Sequence, residues 1–93
     1  MSNSNQRQAD APYFVYLLHC IDGSLYAGIA ANAFARLATH NKGKGAKYTR
    51  SRRPVQLVYL ERHESKSQAL KREAQIKKLN RVSKDALVHN QAR

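Results

Sequence analysis

The 93 residues carry 17 lysines and arginines against six acids, a formal net charge of +11, so the chain is expected to be one small domain whose natural partner is a polyanion. A single cysteine, Cys20, excludes a disulfide framework and a cysteine-based zinc site. No apolar run is long enough to span a bilayer and no secretory pattern is present, so no membrane partner is expected and a reducing cytoplasm, with the nucleoid within reach, is the expected setting.

Residues 1–11 are polar and lack periodicity, which predicts a disordered tail ahead of a single domain over residues 12–93. Residues 13–20 are aromatic and aliphatic and predict a strand. Ile21, Asp22 and Gly23 turn the chain, and residues 24–29 predict the returning strand. Asn32 suits the N-cap of a helix reaching about Asn41, with Gly43 just beyond its end. Residues 42–53 form a basic loop, Pro54 breaks it, and residues 55–60 predict a third strand. Ser65 and Gln68 match a capping box for a helix to about Leu79. Ser83 is expected to cap a last short helix. The sum is an α+β domain, a three-stranded antiparallel or mixed sheet flanked by helices in the order β-β-α-β-α-α.

The hairpin register decides where two tyrosines point. A two-residue loop at Asp22 and Gly23 pairs Tyr16 with Ile29 and sends Tyr16 and Tyr26 to opposite faces. A three-residue loop pairs Cys20 with Ser24, Tyr16 with Gly28 and Leu18 with Tyr26, and both phenols then share a face. That loop wants glycine at its third position, where Gly23 stands, so the three-residue register is expected.

On the next helix, Phe34, Leu37 and Ala38 form an apolar face. Arg36 and His40 lie four residues apart and therefore on one neighbouring face. An arginine one turn from a histidine suits a site that holds phosphate and moves a proton, and it suits an exposed polar face equally well. Glu73 stands alone within a run of lysines and arginines, in the arc bounded by Ala69, Leu70 and Ile76. A carboxylate on that side needs a cation, for which Arg36 is a candidate, or a metal ion. The other acids have simpler places: Asp10 in the tail, Asp22 in the turn, Asp85 near a helix start, and Glu61 and Glu64 solvated beside a strand end. One carboxylate cannot cage calcium, but it can hold Mg2+ or Mn2+ as a single, weakly bound ion whose shell water and phosphate complete. In the basic loop, Lys42, Lys44, Lys47, Arg50, Arg52 and Arg53 are expected to contact phosphates, with Tyr48 stacking on a base.

Phe14, Val15 and Tyr16, then Tyr26, Ala27 and Gly28, then Arg36, His40 and Glu73 in that order, together resemble the GIY-YIG nuclease superfamily. The segment 43–50 is similar to the small stand-alone bacterial branch of that superfamily. Only the tyrosine of the first motif is kept. Ile29 occupies a position where some members carry lysine, and His40 stands where others place tyrosine or histidine. The late asparagine of some members has Asn80 as its only candidate. The resemblance implies metal-dependent hydrolysis of nucleic-acid phosphodiesters. DNA is expected rather than RNA, with little sequence preference, by a monomer serving repair or processing. It also implies roles. Glu73 is the sole protein ligand to the metal, and Arg36 steadies charge on the phosphate. Tyr26 aligns the attacking water with His40 as proton acceptor, Tyr16 hydrogen-bonds within the site, and Gly28 allows close backbone approach. The alternative is a basic nucleic-acid-binding module without catalysis, for which Glu73 and His40 have no task.

Overall fold

The computed structural model describes residues 11–92; the tail expected over residues 1–11 lies, Ala11 aside, outside them. Three strands form one antiparallel sheet in the order β2-β1-β3. Strand β1, Tyr13–His19, is central. Its unbroken apolar run is explained by that position, because Val15, Tyr16, Leu17 and Leu18 are all buried and the strand is covered on both faces.

Strand β2, Leu25–Ala30, returns in the three-residue register. Tyr16 faces Gly28 and Leu18 faces Tyr26. The Cys20 amide donates to Ser24 O at 2.9 Å, and Gly23 closes the loop at φ +87°, a conformation that a side chain would strain. Helix α1, Ala33–Asn41, starts where expected, with Asn32 Oδ1 accepting from the Ala35 amide at 3.0 Å. The basic loop that follows is partly helical. It contains one turn, α2, Lys47–Arg50.

Strand β3, Gln56–His63, runs three residues further than expected. Its pairing continues to Tyr13 opposite His63, with a register shift at Leu17 and Leu18 that leaves Val58 over as a bulge. The extension overturns the solvated reading of Glu61. Its carboxylate lies among Tyr59 Oη at 2.5 Å, His63 Nε2 at 2.6 Å and Arg72 Nε at 2.9 Å. Burial pushes this carboxyl up, but the hydrogen bonds from Tyr59, Arg72 and His63 outweigh it and the net shift is downward.

Helix α3, Lys66–Lys77, is capped as expected, with Ser65 Oγ accepting from the Gln68 amide at 3.2 Å. Leu70, expected to face the core, is instead exposed, while Ala69 and Ile76 are fully buried. Helix α4, Arg81–Ala92, is longer than expected and starts earlier. Its cap is Asn80, whose Oδ1 accepts from the Ser83 amide at 2.9 Å. Asn caps as well as Ser, and Asn80 directly follows the turn that ends α3.

The sheet separates two cores. Val15, Leu17, Ala27 and Tyr59 meet Ala69 and Ile76 of α3 on one side, with Leu87 and Val88 of α4 beside them. Tyr16, Leu18 and Cys20 meet Ala33 and Val55 on the other, with Leu37 of α1. The outer edge of β3 is protected by a side chain: Gln91 donates to Leu60 O at 2.6 Å and accepts from Leu60 N at 2.9 Å, as a fourth strand would. Among the described residues no helix is long and apolar enough to cross a membrane.

Candidate active site

The site grows from the pairing of Tyr16 with Gly28. The phenol of Tyr16 leans across β2 over Gly28, and a Cβ at that glycine would lie 2.6 Å from Tyr16 Cζ. Glycine is therefore required by the ring above it. Tyr16 is 2% exposed, and its hydroxyl lies 3.0 Å from Nε2 of His40, which α1 delivers from above the same face.

His40 is enclosed on every side. Tyr16 and Tyr26 both meet its ring edge-on, with centroids 6.0 and 5.5 Å away. Nδ1 lies 2.8 Å from Thr49 Oγ1 and 3.4 Å from the Ala46 amide. The backbone of Gly45 runs against the ring so closely that a Cβ there would stand 2.7 Å from His40 Cγ. The side chain has no exposed surface. Burial, and then the nearby Arg36 guanidinium, hold this imidazole below its ordinary value of 6.5. The expected role of His40 as direct proton acceptor from water is therefore corrected: the ring does not reach solvent, and its hydrogen-bonded tyrosine is Tyr16, not Tyr26.

Opposing effects act on Tyr16. Burial raises its phenol above the ordinary value of 10.0, and Arg36 beside it pulls in the opposite direction. Tyr26 and Glu73 act on the same hydroxyl more weakly. Tyr16 and Tyr26 thus both meet His40, while Arg36 of α1 and, more weakly, Glu73 of α3 act on the Tyr16 hydroxyl through their charge. The carboxylate of Glu73 is 17% exposed and pairs with Lys77 at 3.2 Å, one turn along its own helix, and not with Arg36. Among the described residues no three His, Cys, Asp or Glu side chains converge on one point, so the donor set does not fit a closed protein cage. It does fit a hard divalent ion held by one carboxylate, with water and substrate phosphate supplying the remaining oxygens.

The basic loop divides into two groups. Tyr48 stacks on Tyr26 with centroids 5.8 Å apart, and the Arg52 guanidinium lies over the Tyr48 ring at 3.8 Å from its centroid. Tyr48 is thus held by Tyr26 and Arg52 while remaining 38% exposed. Arg52 also pairs with Asp22 at 2.9 Å and donates to Tyr48 O at 2.8 Å. Hydrogen bonds from the Ser24 hydroxyl and amide, more than the arginine, hold the Asp22 carboxyl below its usual range. Arg53 donates to Arg50 O at 2.8 Å and to Asn41 O at 3.4 Å. Arg52 and Arg53, expected on phosphates, also tie the loop to the hairpin turn and to the end of α1. Lys42, Lys44, Lys47 and Arg50 are exposed and have no side-chain hydrogen bond or ion pair among the described residues.

Thr49 and Gly45, which enclose His40, and Asp22, which pairs with Arg52, are positions to which residue patterns gave no place in the site. Gly45 carries the only readable signal, a second glycine two residues after the helix-ending Gly43. A family model described as the GIY-YIG catalytic domain matches residues 12–85. A UPF0213 protein of Staphylococcus aureus is 55% identical over 76 residues, which cover 82% of this chain and 93% of that protein. The solution NMR structure of a UPF0213 protein from Bacillus halodurans is 42% identical, with a TM-score of 0.55 over 84% of this chain and 83% of that one. A protein from E. faecalis, also solved by NMR, is 42% identical, with a TM-score of 0.59 over 87% and 86% of the two chains.

Proposed function

The chain belongs to the GIY-YIG family, in its small UPF0213 branch, and from that footing we propose that it is a divalent-metal-dependent endonuclease that hydrolyses phosphodiesters of DNA with little sequence preference. The observation that carries the reading is the contact of Tyr16 and Tyr26 with His40, within reach of the Arg36 and Glu73 charges and next to four exposed cations on one loop. Phosphate contacts from such a loop give affinity without reading bases. Among the described residues there is neither a zinc site nor a long helix clear of the core to enter a groove, which favours DNA recognised by its backbone or its shape.

Glu73 would hold Mg2+ or Mn2+ after Lys77 gives way, and such an ion supplies positive charge against the phosphate oxygens. Arg36 adds a fixed cation on the side of α1 and holds the phosphate in place. Tyr16 and Tyr26 present phenol oxygens that align the attacking water. His40 acts through Tyr16, because no face of its ring is open to water. Gly28 and Gly45 serve by having no side chain, one under Tyr16 and one under His40.

The test is nicking of supercoiled plasmid with and without Mg2+ or Mn2+, extended to linear, single-stranded and branched DNA and to RNA. Nicking that needs the metal and is lost in Glu73→Ala and Arg36→Ala supports the reading. DNA binding without any cleavage of the panel would leave a basic binding module in its place.

A further inference from the structure

The direction of the hydrogen bond between Tyr16 and His40 decides which of them meets a proton from water. A neutral imidazole carries one N–H, and its partners settle which nitrogen holds it. Nδ1 of His40 has two neighbours. The Thr49 hydroxyl, at 2.8 Å, can donate or accept. The Ala46 amide, at 3.4 Å, can only donate. A proton on Nδ1 would set one donor against another. A bare Nδ1 accepts the amide and the hydroxyl together. The competing partner of the Thr49 hydroxyl is the Ala46 carbonyl at 3.0 Å. That carbonyl already accepts the Arg50 amide at 3.2 Å, so nothing is left unpaired when Thr49 turns to the ring. The remaining imidazole proton then sits on Nε2 and points at Tyr16 Oη, 3.0 Å away.

We infer that Thr49, together with the Ala46 amide, fixes His40 as its Nε2–H tautomer, so that His40 donates to Tyr16 and Thr49 is a positioning residue for that tyrosine. His40 keeps its proton and does not take one from water. Its N–H supports negative charge on the Tyr16 oxygen, and the Tyr16 hydroxyl proton is left to another acceptor. The tautomer rests on the hydrogen-bond partners alone; its catalytic consequence rests on the nuclease reading above. The basic loop thereby does two things, because the residues that cage His40 lie between the lysines that would hold phosphate.

The tautomer is read directly from long-range 1H–15N correlation spectra of the 15N-labelled full chain at neutral pH. The chain has four histidines, and His40 is assigned by replacing His19, His63 and His89 in turn with Gln. The expected pattern for His40 is a protonated Nε2 and an unprotonated Nδ1. Thr49→Val should shift the Nδ1 resonance, and Thr49→Ser should restore it. On DNA, Thr49→Val should lower kcat roughly tenfold, the scale of one missing buried hydrogen bond, with KM little changed, and Thr49→Ser should recover most of it. A protonated Nδ1 overturns the inference, and so does a His40 spectrum that ignores Thr49→Val. If the parent protein cleaves nothing, the spectrum still decides the tautomer while the nuclease reading fails on its own.

Discussion

Tyr48 lies nearly flat on Tyr26, its ring plane only 20° from parallel. The stack joins the basic loop to the hairpin that carries both site tyrosines. Arg52 also lies over the Tyr48 ring and is anchored in turn by Asp22 in the hairpin turn. A run of touching side chains therefore leads from Asp22 through Arg52, Tyr48 and Tyr26 to His40. The loop's geometry and the site's geometry cannot be set independently.

Arg52→Ala should accordingly affect turnover more than binding. The ion pair with Asp22 is exposed to solvent and contributes little by itself, but its loss also removes the cation over Tyr48 and loosens the loop segment that holds Thr49. The expected outcome is a roughly three- to tenfold fall in kcat and a Tm lower by a few degrees. Single-turnover cleavage and thermal unfolding check it. A variant that binds DNA more weakly but turns over bound DNA at the parent rate would return Arg52 to the phosphate-contacting group.

The exposed cations should behave in the opposite way. Replacing Lys42, Lys44, Lys47 or Arg50 singly with Ala leaves at most one phosphate without its cation. The salt dependence of binding, as the slope of log K against log salt, should become shallower by about 0.9 for each phosphate no longer neutralised. Fluorescence anisotropy over a salt series measures this, with kcat at saturating DNA unchanged. Lys44→Ala that leaves both affinity and slope untouched would take the loop out of the binding surface.

The two groups of loop residues could not be separated by reading the chain. A tyrosine among arginines has the same pattern whether its ring meets a base or Tyr26 and Arg52. Thr49 gives no signal because its partner, His40, comes within reach only when the loop folds back over α1. Glu61 is hidden for another reason. The run Glu61, Arg62, His63, Glu64 has the composition of a loop, yet pairing with β1 keeps it extended, and Arg72 from α3 neutralises the acid. The hairpin is legible to the residue, since a glycine with positive φ at the third loop position admits one register and strand alternation does the rest. Asn80, the one candidate for a late site asparagine, instead uses its side chain to cap α4.

Gly28→Ala tests the register and the site together. The added Cβ would overlap the Tyr16 phenol, and the ring has little room to retreat because Tyr16 is buried against His40. Overpacking of this kind costs about 1–3 kcal/mol, and displacing the hydroxyl from the pocket should lower cleavage at least about a hundredfold. Cleavage assays and chemical denaturation measure the two effects. A Gly28→Ala variant with parental stability and activity would mean that Tyr16 does not lie across the glycine.

Acid should weaken the fold in a window set by His40. Burial and Arg36 hold its folded pKa below the ordinary 6.5, so the unfolded chain takes up a proton at higher pH than the folded one. The stabilising contribution of the neutral, caged ring is therefore complete above 6.5 and is lost as pH falls from there through the folded value. Asp22 and Glu61 are shifted the same way, but from 3.8 and 4.5, so their contributions are lost in more acidic solution. Tm should consequently drop by several degrees between about pH 7.5 and about pH 5.5. His40→Gln, less stable throughout because Tyr16 and Thr49 lose a ring that fits between them, should show a flatter profile over the same interval. If the drop persists undiminished in His40→Gln, another group is responsible and the cage around His40 does not exclude its charged form.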